Sequence, residues 1–182
     1  MYGKLEFYDP VPVLLAQRAI EASGLLRLFP ERVRRLRTGR LKAQREHRTA
    51  AIFAHGLASI VNSKVLVAPH EDTDFDFVVT WTDLDAGQLF TAVQLKEVAP
   101  EDLNPAHSLA AVLNGLGKYP KTDTILLVLL NRPIEETVNL ETFPFKQLWL
   151  MWQSSGDSSK WTLLGDCTRT PQQYDFLYPC EA

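Results

Sequence analysis

Two stretches of alternating residues place acidic, amide and basic side chains at regular spacing. The first, over 74–81, puts Asp74 and Asp76 on one face, and the second, over 90–98, puts Gln94 and Lys96 on one face. A period of two, rich in aromatic and β-branched residues, predicts two strands. The intervening residues 82–88 are turn-prone, so the two strands are predicted to form a hairpin.

The centre of the turn decides which of these side chains face each other. A turn centred on Asp85 places Asp76 opposite Gln94. A turn centred on Ala86 places Asp76 opposite Lys96. Opposed residues share a face, with Cβ atoms about 5 Å apart. Either register therefore brings Asp76, Gln94 and Lys96 together, and this set of a carboxylate, an amide oxygen and an ammonium group suits a divalent cation and a phosphate.

A helix predicted over 41–62 carries one more carboxylate toward this region. Its apolar residues recur at spacings of three and four, which indicates one buried stripe. Glu46 lies on that stripe and is the helix's only acidic residue. A carboxylate on a buried stripe needs a partner. Two partners are open: the hairpin site, or Lys42 four residues earlier.

The elements around the hairpin follow a definite order. A strand is predicted at 64–68, before the hairpin. Asn104 and Pro105 together indicate a helix start, and this second helix is predicted to run to about Leu116. A continuous apolar run over 124–131 predicts a buried strand. Because a helix separates it from the hairpin, that strand is predicted to run parallel to an earlier one.

An Asp on one strand followed by Gln94-Leu95-Lys96 on the next resembles the motif of the PD-(D/E)XK nuclease superfamily, in its QxK variant. The superfamily core runs helix, three strands, helix, strand, with a Glu on the first helix. The same order is predicted here over 41–131. The resemblance implies an α/β fold with a central mixed sheet of about four to six strands flanked by helices, that is, a restriction-endonuclease-like αβββαβ core with an N-terminal helical extension.

This fold divides the chain into three parts within a single domain over 1–182. Residues 1–40 form the helical and basic extension, with a helix predicted over 12–28. The core follows over 41–131. Residues 132–182 contain a closing hairpin of two strands and a tail that is expected to be irregular.

The resemblance also implies an activity: metal-dependent hydrolysis of phosphodiester bonds, with DNA as the substrate and Mg²⁺ or Mn²⁺ as the cofactor. Lys96 would position the attacking water. The implied metal ligands are Asp76, Gln94, the backbone carbonyl of Leu95 and Glu46, with Asp74 as the rival of Asp76.

Two features depart from the family pattern. Gln94 replaces the usual Glu, so the metal would meet one negative charge fewer. The Pro-Asp pair of the family name is absent as well. A catalytically inactive member of the same fold, binding nucleic acid or protein, therefore stays open. So does an α/β interaction domain in which the hairpin charges form a cross-strand ion pair.

Basic residues are concentrated in one segment of an otherwise acidic chain. The net charge is −3, yet nine of the 19 basic residues lie between Arg27 and Arg48. Such a stripe is typical of a polyanion-binding surface or of a solvated helix face. The candidate nucleic-acid contacts are Arg34, Arg35, Arg37, Arg40 and Lys42.

Composition restricts the remaining classes of protein. The chain of 182 residues is 46% hydrophobic and 23% charged, which suits one soluble domain. Two cysteines form no disulfide framework, and the four histidines share no spacing typical of zinc sites. No apolar run reaches the ~18 residues of a membrane span. We expect a cytoplasmic protein without a membrane partner, and a homodimer, since one such centre cuts one strand.

Overall fold

A computed structural model describes residues 4–35, 37–70, 74–154 and 156–180; the side chain of Arg34 lies outside the description. The described chain builds one mixed sheet of seven strands whose spatial order is the chain order. The pairs β3–β4 and β4–β5 are parallel, and the other neighbouring pairs are antiparallel. The strands are β1 (Val65–Pro69), β2 (Phe77–Asp83), β3 (Gly87–Val98), β4 (Ile125–Leu130), β5 (Gln147–Gln153), β6 (Lys160–Gly165) and β7 (Gln172–Leu177).

The α-helices lie before and between these strands. Short 3₁₀ turns at Leu25–Leu28 and Gly39–Leu41 complete the N-terminal region. The order helix, three strands, helix, strand that was predicted over 41–131 is the order observed. The α-helices are α1 (Pro10–Ala22), α2 (Glu31–Arg34), α3 (Lys42–Val61) and α4 (Leu109–Asn114).

The sheet is larger than the sequence predicts. Four to six strands were expected, and the seventh is β7, which lies in the tail that was predicted to be irregular. Its side chains alternate in the way that a strand requires: Phe176 is buried while its neighbours are exposed. The tail also ties the fold together, because the Tyr178 hydroxyl donates a 3.2 Å hydrogen bond to the Leu14 carbonyl of α1.

The hairpin has the first of the two predicted registers. Phe77 pairs with Val93, which centres the turn on Asp85. However, β2 begins at Phe77 and not at Asp74. The ladder stops there because the Leu95 N–H, which would continue it, donates instead to the side chain of Asp76.

The two faces of the sheet are covered by different helices. Val93, Leu127 and other odd-numbered residues of β3 and β4 belong to the core beneath α3. Val98, Val128 and the other even-numbered residues of β4 belong to a second core beneath α4. The parallel pairing in which Lys96 opposes Val128 confirms the predicted crossover and places Lys96 on the α4 face.

Two helices differ in extent from their predictions. The first helix ends at Ala22 and not at 28, because Gly24 takes a left-handed conformation with φ of 73°. The second begins at Leu109 and not near Asn104. Arg132 donates hydrogen bonds to the carbonyls of Asn104 and His107, and these bonds hold residues 104–107 in a loop.

The N-terminal region packs on the core. α1 lies against α3, and Tyr8 pairs with Val67 on the outer edge of β1 through backbone hydrogen bonds of 2.9 and 3.0 Å. Within the described residues, no helix combines the length and the hydrophobicity that crossing a bilayer requires. Both cysteines are free.

Candidate functional site

Asp76 is the centre of the polar cluster at the head of β2. One of its carboxylate oxygens, Oδ2, accepts two hydrogen bonds from β3: one from the Leu95 backbone N–H at 2.6 Å and one from the Gln94 side-chain amide. The other oxygen, Oδ1, accepts none from the described residues. The two donors fix the orientation of the carboxylate and leave one oxygen open to a further ligand.

Two more oxygen atoms lie close to this carboxylate. The amide oxygen of Gln94 accepts no hydrogen bond from the described part of the chain, while its amide nitrogen is held by Asp76. The N–H and C=O of one strand residue point to the same side, so the carbonyl of Leu95 also faces the head of β2. The predicted ligands Asp76, Gln94 and Leu95 are therefore in direct contact.

Glu46 reaches the same region from α3. With Asp76 it lines a cavity of about 30 Å³, enough for one water molecule. Its carboxylate also lies 3.4 Å from the Lys42 ammonium, so both of the partners left open by the sequence are present. The Glu46 side chain is 27% exposed and the Lys42 side chain 67% exposed, so this ion pair is weakened by solvent.

Two histidines line the same cavity. His47 follows Glu46 on α3, and His70 follows β1. The backbone N–H of His70 donates to the Asp76 carbonyl at 3.0 Å, which fixes the loop end against β2. Neither residue was predicted to belong to the site, because their separation in sequence matches no common metal-ligand spacing.

Lys96 lies on the same face of β3 as Gln94, two residues further along the strand. Its side chain is partly buried and forms no ion pair or hydrogen bond within the described residues. Since no residue in the described part of the chain acts as its counter-ion, this partly buried ammonium group is available to an incoming anion. Glu46 projects from α3, which packs on the opposite face of the sheet. Asp76 contacts Gln94 and also lines the cavity that Glu46 lines, so it is the residue shared by the two groups.

Asp74 is the less favoured of the two aspartates that were predicted as candidates for the principal metal ligand, because of where it lies. It lies outside β2 and is exposed, and no described residue contacts it by a hydrogen bond or an ion pair. Asp76 contacts the predicted second ligand directly. The geometry therefore favours Asp76 as the principal ligand.

The donor set is suited to a hard cation. It consists of carboxylate, amide and carbonyl oxygens, the atoms that Mg²⁺ prefers, with water completing its coordination. Among the described residues, no three His, Cys, Asp or Glu side chains are grouped so as to hold a metal. A metal site here would therefore need Gln94 and the Leu95 carbonyl in addition to the two carboxylates.

A second polar cluster, not predicted from sequence, lies beside Lys96. Glu97 on the α3 face forms ion pairs with Arg37 and Arg45 and accepts a hydrogen bond from Asn131. The Arg37 and Glu97 side chains are only 16% and 19% exposed. Glu97 thereby ties the basic segment to the strand that carries the candidate site.

Much of the basic stripe is neutralised in this way. Arg35 pairs with Glu31 at 2.6 Å and with Asp102 at 3.0 Å, and Arg48 pairs with Glu21 at 2.9 Å. Of the predicted nucleic-acid contacts, Arg35, Arg37 and Lys42 all have acidic partners. Arg40 is exposed and has none among the described residues, and the side chain of Arg34 lies outside them.

Comparison with protein-family models, with curated proteins and with solved structures returns no match for this chain. The site is therefore interpreted from its own residues and from the arrangement of the elements that carry them.

Proposed function

We propose that this protein is a metal-dependent nuclease that hydrolyses phosphodiester bonds, with DNA as its substrate. The observation that carries the proposal is the contact between Asp76, Gln94 and Leu95 next to Lys96. One carboxylate oxygen of Asp76 is held by two donors and the other is open. A carboxylate that is held in one orientation and keeps one oxygen open toward neighbouring amide and carbonyl oxygens suits a cation site.

The order and pairing of the elements support the same proposal. The helix α3 carries Glu46, the antiparallel β2–β3 pair carries Asp76 and the Gln94-Leu95-Lys96 motif, and β4 runs parallel to β3 after the crossover helix α4. We propose that this segment is a restriction-endonuclease-like core. The strands β5 to β7 then extend the core sheet at one edge.

Different residues would carry out metal binding and phosphate binding. Asp76, Gln94, the Leu95 carbonyl and Glu46 would hold the metal ion, which when bound supplies Lewis-acid stabilisation of the charge that develops on the phosphate. The two hydrogen bonds on Asp76 keep its open oxygen oriented before the cation arrives. Lys96 would hold the attacking water and attract the scissile phosphate, because its ammonium group has no counter-ion among the described residues.

The experiment is a Mg²⁺ and Mn²⁺ titration of plasmid nicking and of single-stranded DNA cleavage, with wild type beside Asp76→Asn. Asn keeps the size of the side chain but removes the charge. We expect metal-dependent cleavage by the wild type and a loss of at least about a hundredfold in the variant.

A matched control is Asp85→Asn, which changes an exposed aspartate in the turn at the far end of the same hairpin. It should cleave like the wild type. Cleavage by Asp76→Asn at the wild-type rate, or wild-type cleavage that persists in excess chelator, would contradict the proposal.

One observation favours a second function, a non-catalytic nucleic-acid-binding module of the same fold. Glu46 and Lys96 lie on opposite faces of the sheet, and the described residues contain no group of three metal-binding side chains. Calorimetry separates the two functions. DNA binding without Mg²⁺ binding or cleavage would favour the module.

A further inference from the structure

The segment between α1 and α2 exposes large apolar side chains. None of the residues from 21 to 33 is buried. Leu25, Leu28 and Phe29 are 59%, 82% and 51% exposed. We call these three residues the apolar tip. A contiguous exposed apolar group of this kind marks an interaction surface.

Positive charge flanks the apolar tip. Arg27 lies between the residues of the tip in sequence, and Arg32 follows them. Both arginines are exposed. Neither has an ion-pair partner among the described residues, in contrast to Arg35, which is held by Glu31 and Asp102. A ligand of the apolar tip therefore combines negative charge with exposed apolar faces.

Two ion pairs attach the chain that follows the tip to the region after and near the end of β3. Arg35 binds Asp102 in the loop after β3, and Arg37 binds Glu97 near the end of β3. Lys96 lies beside Glu97 on the same strand. The chain that follows the tip is thus attached to the end of the sheet where Asp76, Gln94 and Lys96 lie.

We infer that the apolar tip contacts unpaired nucleotides, so that the substrate is DNA in which duplex and single strand meet. This inference rests on the proposed function. Paired bases hide their aromatic faces in the stack, whereas unpaired bases expose them to stacking on an aromatic ring such as Phe29. Arg27 and Arg32 supply the phosphate contacts that the neutralised arginines do not.

The test is fluorescence anisotropy in EDTA, with Asp76→Asn as the parent protein so that no cleavage occurs. The probes are a forked DNA with two unpaired arms and a fully paired duplex with the same labelled strand. We expect the parent to bind the fork about tenfold more tightly than the duplex. Leu28→Ser combined with Phe29→Ser should remove this preference and leave duplex binding unchanged.

The control variant is Leu84→Ser, which changes a fully exposed leucine at the turn of the β2–β3 hairpin, away from the tip. It should keep the preference for the fork. Equal binding of fork and duplex by the parent, or loss of the preference in Leu84→Ser as well, would overturn the inference.

Other occupants of the tip give different results. Binding to vesicles that contain phosphatidylserine, or concentration-dependent dimerisation, lost in the double variant without any fork preference, would overturn the inference. The proposed function fails separately: a wild type that prefers the fork but cleaves no DNA with Mg²⁺ or Mn²⁺ keeps the tip contact and loses the nuclease.

Discussion

The two ends of β2 and β3 differ sharply although the same strands form both. At one end, Asp76 and Glu46 line a cavity of about 30 Å³. At the other, the strands and the C-terminal half of α3 enclose an apolar cavity of about 380 Å³, lined by Phe53, Trp81, Trp149 and their neighbours. The larger cavity has the size of a ligand pocket, and the smaller one has the reactive groups.

The difference shows that the volume of a cavity does not predict whether charged groups line it: the larger cavity is apolar, and the smaller one contains the carboxylates. The apolar end follows from core packing, in which bulky rings on α3 and the sheet leave a gap between them. The polar end does not, because a partly buried carboxylate or ammonium group costs free energy unless it is hydrogen-bonded or paired, and no described residue pairs with Lys96. For this reason the proposed function assigns the metal site to the polar end.

The largest effect is expected when a lysine at one end is changed to alanine and compared with the same change at the other end. Lys96→Ala should reduce cleavage by at least about a hundredfold, because it removes the cation beside the scissile phosphate. Lys146→Ala, at the rim of the apolar cavity, should leave cleavage unchanged. Single-turnover cleavage rates measure both. A loss in Lys146→Ala equal to that in Lys96→Ala would place the chemistry elsewhere.

Folding of the Lys96 variant is expected to be intact. Lys96 has no ion pair with any described residue, so its truncation removes no specific contact from the fold. Circular dichroism and a thermal melt that match the wild type would show that the loss of rate is chemical. A large drop in the melting temperature would instead give Lys96 a structural role.

The next test concerns packing at the apolar end. A Cβ at position 165 would lie 2.2 Å from the Trp149 ring, which is buried, so Gly165→Ala should lower the free energy of unfolding by about 1–3 kcal/mol. Gly39→Ala, where no atom lies within 4 Å, should cause no such loss. Urea unfolding measures both, and equal stability of the two variants would mean that Trp149 moves freely.

A smaller effect is expected for Glu46. Glu46→Gln removes one negative charge from the cavity that it shares with Asp76, and should weaken Mg²⁺ binding by about tenfold. Glu135→Gln, an exposed residue after β4, is the control and should bind as the wild type does. Isothermal calorimetry in the absence of DNA gives both affinities. An unchanged affinity in Glu46→Gln would leave Lys42 as its only partner.

The smallest effect is a pH dependence near the apolar end. Asp9 caps α1 and lies 2.8 Å from Lys64, just before β1. Burial raises the pKa of Asp9, but hydrogen bonds from Lys64 and from the Val11 N–H outweigh it and hold the pKa below its ordinary value. The resulting stabilisation is present above the unfolded pKa and is lost as the pH falls through the folded pKa.

The matched measurement compares wild type with Asp9→Asn, which can still accept the capping hydrogen bond. At pH 7 we expect Asp9→Asn to be less stable by below about 1 kcal/mol, since the ion pair is exposed. Below the folded pKa of Asp9, where its carboxylate is neutral, the difference should disappear. A difference that stays constant with pH would exclude the charge of Asp9 as its cause.

The sequence predicts most of the fold near the candidate site. Alternation and turn residues specify the hairpin and limit its register to two alternatives, of which the structure has the one centred on Asp85. The stripe that contains Phe53 and Leu57 specifies α3 within one residue at each end. These elements are governed by local periodicity. By contrast, the early start predicted for α4 was wrong because Arg132, distant in sequence, donates to the carbonyls of Asn104, Pro105 and His107.

The candidate site is predictable only in part for the same reason. The contact between Asp76 and Gln94 follows from the register. The cluster around Glu97 does not, because Arg37, Arg45 and Asn131 meet it through tertiary packing. The strand β7 was missed although Tyr174, Phe176 and Tyr178 alternate, since three residues in a polar tail are a weak pattern beside the apolar run of β4.

The agreement between strand order and chain order has a consequence for synthesis on the ribosome. Each strand pairs with the strand made just before it, so the growing chain finds its next partner without waiting for distant segments. The strands β1 to β3, with Asp76, Gln94 and Lys96, emerge before β5 to β7. Contacts from α3 to β6 and β7 form last. A nascent chain halted after β4 would already contain every residue of the proposed metal site.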